Sequence, residues 1–291
     1  MQNDEPIIKI NSKYLLDINN ENINKYFGKW INNIEELNKS FISGLPYENI
    51  IIDNFLLEDY ADKIYNSFPT NYDNWYKYIN PIEFKYTFDN IETLSEDIRK
   101  YFYLLSSDHF ITLMNKLTNI PNLEKDPYLH GAGLHCHGKN GKLDIHLDYE
   151  KHPYSGKERR INIILFISKD WKTEWNGANE LWDKDVTKCV KKTEIKFNRA
   201  IIFKTNDISW HGMPDSLDCP EGIYRKSLAY YYVSELNTNK KEEKYRKKAK
   251  YIKRPNDKYD DKKEELYKIR ANRRITSEDL AIHFPSWKIG K

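Results

Sequence analysis

The hydrophobic texture of the chain changes near Pro121. Before that point apolar residues recur at helical spacing: Ile31, Ile34, Leu37 and Phe41 predict one helix. Ile98, Phe102, Leu105, Phe110, Leu113 and Leu117 predict one or two more over 94–118. Glu58 to Ile64 reads as the start of an amphipathic helix, acidic at its positive end. After Pro121, short apolar runs alternate with polar turns, at 128–136, 143–149, 161–168, 179–183, 194–197, 200–205 and 225–234. Closely spaced runs of that kind predict the strands of a sandwich or barrel. Asn49 to Ile52 adds one more strand-like run, and Arg160 to Ile167 is long enough for a central strand buried on both faces. The expected fold is α+β with a mainly β core, helices lying against one side of a distorted barrel. The expected division is a helical extension over 1–45, a central domain over 46–235 and a charged appendage over 236–291. Within the central domain, helices are expected over 55–120 and the β core over 125–235.

A chain of 291 residues can bury one sizeable core, with or without a small annex. Charged residues make up 31% and hydrophobic ones 39%, but 14% aromatic content suits a folded protein. The abundance of Asn, Lys, Ile and Tyr reads as the imprint of an AT-rich coding genome, so patches rich in Asn or Lys are discounted as signals. A net charge of +3 gives no ground for a nucleic-acid partner. Between Lys240 and Arg254, however, Lys240, Lys241, Lys244, Arg246, Lys247, Lys248, Lys250, Lys253 and Arg254 face only Glu242 and Glu243. A solvated face is the plain reading of such a run, and docking to nucleic acid or an acidic protein is the other. Cys136, Cys189 and Cys219 are odd in number and lack CxxC spacing, so neither a disulfide framework nor a zinc finger is indicated. The start, MQNDEPIIKI, has no basic segment ahead of an apolar run, and the stretch Ile161 to Ile167 is far shorter than a membrane span. The expected setting is the reducing cytoplasm, with no membrane partner.

Four side chains carry candidate chemistry. His146 and Asp148 are two apart, so on a strand both point to one side and can approach one ion from adjacent directions. An H-x-D triplet alone is weak evidence. His211 strengthens it, following a strand-like run and a loop long enough to return to the first pair. A loop histidine bonded to backbone is the plain alternative. Two imidazoles and a carboxylate on one face are the ligands of mononuclear non-haem iron(II). Arg225 opens a strand on which Arg225, Ser227, Ala229 and Tyr231 share one face. A guanidinium pointing into a barrel needs a carboxylate to meet it, whereas an edge-strand charge does not. His130, His135 and His137 could suggest a second metal with Cys136, but on a strand Cys136 would face away from its neighbours. Packing, hydrogen bonding or contact with a co-substrate are the alternatives for these histidines. His109, His152 and His283 carry no discernible chemistry.

The segment from Gly131 to Glu235 resembles the prolyl 4-hydroxylase branch of the 2-oxoglutarate/Fe(II)-dependent oxygenase superfamily. The matching residues begin with His146-Leu147-Asp148, Arg160-Ile161-Asn162 and Ser168-Lys169-Asp170-Trp171. Asn176-Gly177 before Leu181-Trp182, Phe197 to Phe203, Trp210-His211-Gly212 and Arg225-Lys226-Ser227-Leu228-Ala229 follow in order. About a third of the chain is covered well, and Ile50 to Pro69 more faintly.

The resemblance implies a double-stranded β-helix, of jelly-roll or cupin type, with Fe(II) held by His146, Asp148 and His211. Arg225 would hold the distal carboxylate of 2-oxoglutarate, with a hydroxyl bond from Ser227. Three departures stand out. Many relatives bind that carboxylate with a tyrosine from the strand before the first ligand, where this chain reads His135-Cys136-His137, so His137 would substitute. A second family tyrosine falls at Phe166, and a paired glycine is replaced in Gly177-Ala178-Asn179.

The implied activity is an oxidoreductase of the dioxygenase class. It would hydroxylate an unactivated C–H with O2, releasing succinate and CO2, with ascorbate as a reductant. A prolyl residue of a peptide or protein is the first expected substrate. A free amino acid, nucleotide or sugar-linked metabolite is the second, and a non-catalytic binding module on the same barrel is the alternative in kind. Asp148 argues against a halogenase, which needs a small residue there. A zinc hydrolase would have no use for Arg225. The sequence assigns neither oligomeric state nor a role for the terminal segments.

Overall fold

The computed structural model describes residues 7–287. The first six residues of the start read above, and residues 288–291 of the C-terminal segment, lie outside the described residues. In chain order the elements begin with α1 (Ser12–Asn19), α2 (Ile34–Ile42), β1 (Asn49–Ile52), α3 (Glu58–Ser67) and a hairpin of β2 (Tyr76–Asn80) and β3 (Glu83–Phe88). Next come α4 (Glu96–Leu105), α5 (Asp108–Thr118), β4 (Glu124–Lys125), β5 (Gly133–His137), β6 (Lys142–Leu147) and β7 (Glu158–Phe166). The chain continues with β8 (Asn179–Trp182), β9 (Cys189–Thr193), β10 (Arg199–Lys204), β11 (His211–Met213) and β12 (Arg225–Ser234). It ends with β13 (Lys250–Tyr251), α6 (Asp261–Arg270) and α7 (Ser277–His283).

The strands form an antiparallel, nearly closed barrel of the double-stranded β-helix kind, in the order β1-β10-β7-β12-β5-β3-β6-β11-β8-β9. Strand β3 bonds to both β5 and β6 and so joins the two halves. Two details depart from the sequence pattern. Residues 76–88, inside the stretch expected to be helical, form the hairpin, because the alternation in Tyr76, Tyr78, Phe84 and Tyr86 suits a strand. The run 194–197 is a connection, and the strand beside it is β9.

Period-two alternation decides what each strand buries. On β12, Leu228, Tyr230 and Tyr232 face the helices, where the Tyr232 hydroxyl donates to Leu105 O at 2.6 Å and Tyr230 shares a hydrogen bond with Ser106 at 2.6 Å. Arg225, Ser227, Ala229 and Tyr231 face the barrel interior. On β7, Ile161, Ile163 and Leu165 join the core beneath the helices, while Asn162 and Ile164 line the interior. Helices α4 and α5 start where the Ser95 and Ser107 hydroxyls accept from Ile98 N and Phe110 N. Their apolar faces close the same core as α1 and α3.

The segment after Glu235, expected as an appendage, folds back onto the barrel. Strand β13 pairs with β6, Tyr267 donates to Asp144 at 2.8 Å, and Ile82, Tyr251, Leu266 and Tyr267 form a cluster of their own. The basic run is therefore partly engaged: Lys240 and Arg246 meet Glu150, and Arg254 meets Asp215 and Asp257. No helix of the described residues is long and apolar enough to cross a membrane.

Candidate metal centre and adjoining cavity

His146 lies near the end of β6 and His211 opens β11, and the two are direct cross-strand partners. Each Nδ1 lies against a backbone carbonyl, Asp144 O at 2.9 Å and Ser209 O at 2.8 Å. A carbonyl can only accept, so Nδ1 carries the proton and Nε2 keeps its lone pair. Both Nε2 atoms point at Asp148, at 3.7 Å from Oδ1 for His146 and 3.4 Å from Oδ2 for His211. Ligands about 2.1 Å from a common ion stand roughly 3 Å apart when adjacent and about 4.2 Å apart when opposite. The three groups are therefore placed as neighbours on one face, and their donor atoms all lie within 4.8 Å of one another.

Asp148 is held from behind. Asn162 donates to Oδ2 at 2.8 Å, and the Arg159 guanidinium lies 3.0 Å from the same oxygen. Burial opposes ionisation of this carboxyl, but Arg159 and then His211 outweigh it and hold the group well below the usual carboxylate range. Arg159 is itself oriented by Asn162 and lies over the Tyr231 ring. Burial, then the neighbouring His211, pushes the His146 imidazole down, favouring the neutral form a metal needs. The C-terminal segment adds two supports: Arg246 Nε donates to Asp148 O at 2.7 Å, and the Tyr251 ring stacks on His146 with centroids 5.1 Å apart.

Beyond the triad the interior continues as a cavity lined by His135, His137, Asn179, Arg225 and Ser227. Arg225 opens β12 directly across from His137 on β5, and Ser227 lies across from both His135 and Phe166. The Arg225 Nε donates to Gly177 O at 2.9 Å, and its guanidinium carbon stands 5.0 Å from the Phe166 ring centre. Among the described residues no carboxylate pairs with this buried cation, and burial pushes its pKa down to about 10. Burial, then Arg225, keeps the His137 imidazole neutral, and neither of its nitrogens has a hydrogen-bond partner. An unpaired guanidinium facing an unpartnered imidazole fits the carboxylate end of a dicarboxylate, which would satisfy both.

The 2OG-Fe(II) oxygenase superfamily model matches residues 132–233, the stretch that carries all of these side chains. That segment belongs to the 2OG-Fe(II) oxygenase superfamily. Its triad of His146, Asp148 and His211 is the Fe(II) site of an enzyme that uses 2-oxoglutarate. Among solved structures, a Trichoplax adhaerens prolyl hydroxylase, in complex with a hypoxia inducible factor oxygen degradation domain peptide fragment, shares the fold. The TM-score is 0.50 at 15% identity, over 71% of this chain and 94% of that one. A Pseudomonas putida prolyl-4-hydroxylase matches at TM-score 0.47 and 12% identity, over 70% of this chain and 100% of that one. A Phytophthora capsici prolyl 4-hydroxylase matches at 0.48 and 16%, over 74% and 68%. No curated protein matches by sequence.

The structure brings His146, Asp148 and His211 together and places Arg225, Ser227 and His137 in the adjoining cavity of the oxygenase. Cys136 faces the other way, its thiol near Tyr72, so it does not join His135 and His137. Sequence reasoning assigned no role to Asn162, Arg159, Arg246 or Tyr251. A signal for Asn162 existed: it is the one polar residue inside the run Ile161 to Ile167, on the register that faces inward. Arg246 and Tyr251 carried none, because their contact with the iron site depends on a return of the chain that no local pattern encodes.

Proposed function

We propose that the oxygenase hydroxylates a prolyl residue in a peptide or protein, and that Arg225, His137 and Ser227 hold its co-substrate. The observation that carries the reading is the buried, unpaired Arg225 beside a complete ligand triad. Bound iron and 2-oxoglutarate supply the oxidising power that turns C–H into C–OH, with O2 consumed and succinate and CO2 released. The chain's own residues bind, orient and exclude. Arg225 gives a planar, two-pronged bond to the distal carboxylate, and the His137 imidazole and Ser227 hydroxyl take the donor positions that Phe166 cannot fill. Asn162 and Arg159 orient Asp148, and the carbonyls of Asp144 and Ser209 fix the imidazole tautomers. Apolar Ile164, Leu143 and Met213 on the cavity wall keep bulk water from the reacting centre. The prolyl assignment draws on the shared fold of the Trichoplax prolyl hydroxylase and its peptide. Three free cysteines suit a reducing cytoplasmic setting.

The test is turnover of a peptide library in air with Fe(II) and 2-oxoglutarate, read as succinate and as a +16 mass shift on proline. Oxidation of small metabolites but of no peptide would replace the prolyl assignment. Undiminished turnover by His146→Ala would overturn the reading.

A further inference from the structure

A second groove meets the iron site from the solvent side. It shares Lys85, His146, Asp148 and Tyr231 with the co-substrate cavity, so a molecule lying in it reaches the ligand triad. Its outer wall is built from the β2–β3 hairpin, the segment entering β13, and the end of α6 with the turn after it. Six cations line it: Lys85, Arg159, Lys247, Lys248, Arg270 and Arg274.

The charges do not balance. Arg159 is taken by Asp148, and both Lys85 and Arg270 by the buried Glu83, each at 3.1 Å. Asp89, the remaining acid of the groove, is paired with Lys9. Lys247, Lys248 and Arg274 have no carboxylate partner among the described residues, and all three are exposed. They also crowd one another: burial, then Arg270 and Arg274, lowers the Lys248 pKa. Like charges left together are self-repulsive until an anion arrives. The Arg274 guanidinium is held over the Tyr76 ring, 4.0 Å from its centre, and lies 5.7 Å from the centre of Tyr78. That stacking keeps the cation at the groove rather than loose in water.

We infer that the groove recognises an acidic peptide segment flanking the target residue, whose carboxylates pair with Lys247, Lys248 and Arg274. The inference rests on the peptide reading above. The cations come from two separate chain segments and are spread along the groove, which suits carboxylates distributed on an extended chain. Strand β2 adds a further reason, since among the described residues its only strand partner is β3. Its other edge offers backbone groups to an extended chain.

The experiment is fluorescence anisotropy on the full-length protein with Fe(II) and 2-oxoglutarate, without oxygen, so that binding is read apart from turnover. Three labelled proline-containing peptides are compared, identical except for flanking Asp/Glu, Asn/Gln or Lys. The acidic peptide should bind about tenfold tighter than the amide version at low salt, and the gap should shrink at 0.5 M NaCl. The triple variant Lys247→Gln, Lys248→Gln, Arg274→Gln should lose the discrimination, while charge reversal of Arg274→Glu should favour the Lys peptide. Equal affinities for the three peptides would overturn the inference, as would calorimetric binding of pyrophosphate by a protein that binds none of the peptides. Calorimetric binding of Fe(II) and 2-oxoglutarate in the same samples separates the two readings. Co-substrate binding without acidic preference refutes only the groove assignment, whereas no co-substrate binding refutes the proposed function.

Discussion

The Tyr251 ring lies nearly parallel to the imidazole of His146, at 20° with centroids 5.1 Å apart, so a residue far along the chain packs on an iron ligand. Arg246, in the same returning segment, donates to the backbone oxygen of Asp148. Groups that orient metal ligands from outside typically govern affinity by about ten- to a hundredfold. Tyr251→Ala and Arg246→Ala should each weaken Fe(II) binding about tenfold, measured by anaerobic calorimetry, whereas Tyr251→Phe keeps the ring and should bind as the parent does. Unaltered affinity in both alanine variants would mean that the returning segment is mere cover.

Arg225 is predicted to matter for the co-substrate and not for the metal. Arg225→Lys leaves a charge but loses the planar fork. Its 2-oxoglutarate affinity should fall at least about thirtyfold, equivalent to about 2 kcal/mol, with Fe(II) affinity unchanged. A parallel loss of both would assign Arg225 to the stability of the barrel instead.

Acid should destabilise the fold through the half-buried His130. Burial, then the neighbouring His152, pushes His130 down to about 4. In the unfolded chain an imidazole titrates near 6.5, so between about pH 6.5 and 4 the unfolded state binds more protons. Stability conferred by neutral His130 is complete above that window and is lost as pH falls through it, at up to about 1.4 kcal/mol per pH unit. Urea midpoints at pH 7.5, 6 and 5 should fall more steeply in the parent than in His130→Gln. Matching slopes would refute the assignment.

Gly133 opens β5 at φ +101°, and a Cβ there would stand 2.2 Å from Phe88 O. The strand carries His135 and His137, so the close approach of β3 and β5 shapes one wall of the cavity beyond the triad. Gly133→Ala should cost at least about 2 kcal/mol in urea unfolding. A variant of parental stability would show that the two strands can separate without loss.

How much of the oxygenase was legible in its sequence follows from how local each signal is. The strands β5, β6, β7, β8, β10 and β12 are written in runs of alternating or continuous apolar residues, and the ligand pair His146 and Asp148 needs only the period of a strand to share a face. His211 could be named as the third ligand from a loop of suitable length and the motif around it. The β2–β3 hairpin was missed because the alternation of its aromatic residues runs for only a few positions between helices, too short a window to outweigh the helical pattern on either side.

What the sequence by itself determined was the chemistry available: two imidazoles, a carboxylate and a guanidinium at strand positions that point one way. The tertiary structure alone decided which groups these would meet. That Arg225 faces His137 and has no acid to neutralise it follows from the pairing of β12 with β5. That Lys247, Lys248 and Arg274 gather at one groove follows from the return of the C-terminal segment across β6. Pairings between distant segments are settled by burial summed over the whole core, and no short window of sequence contains that sum.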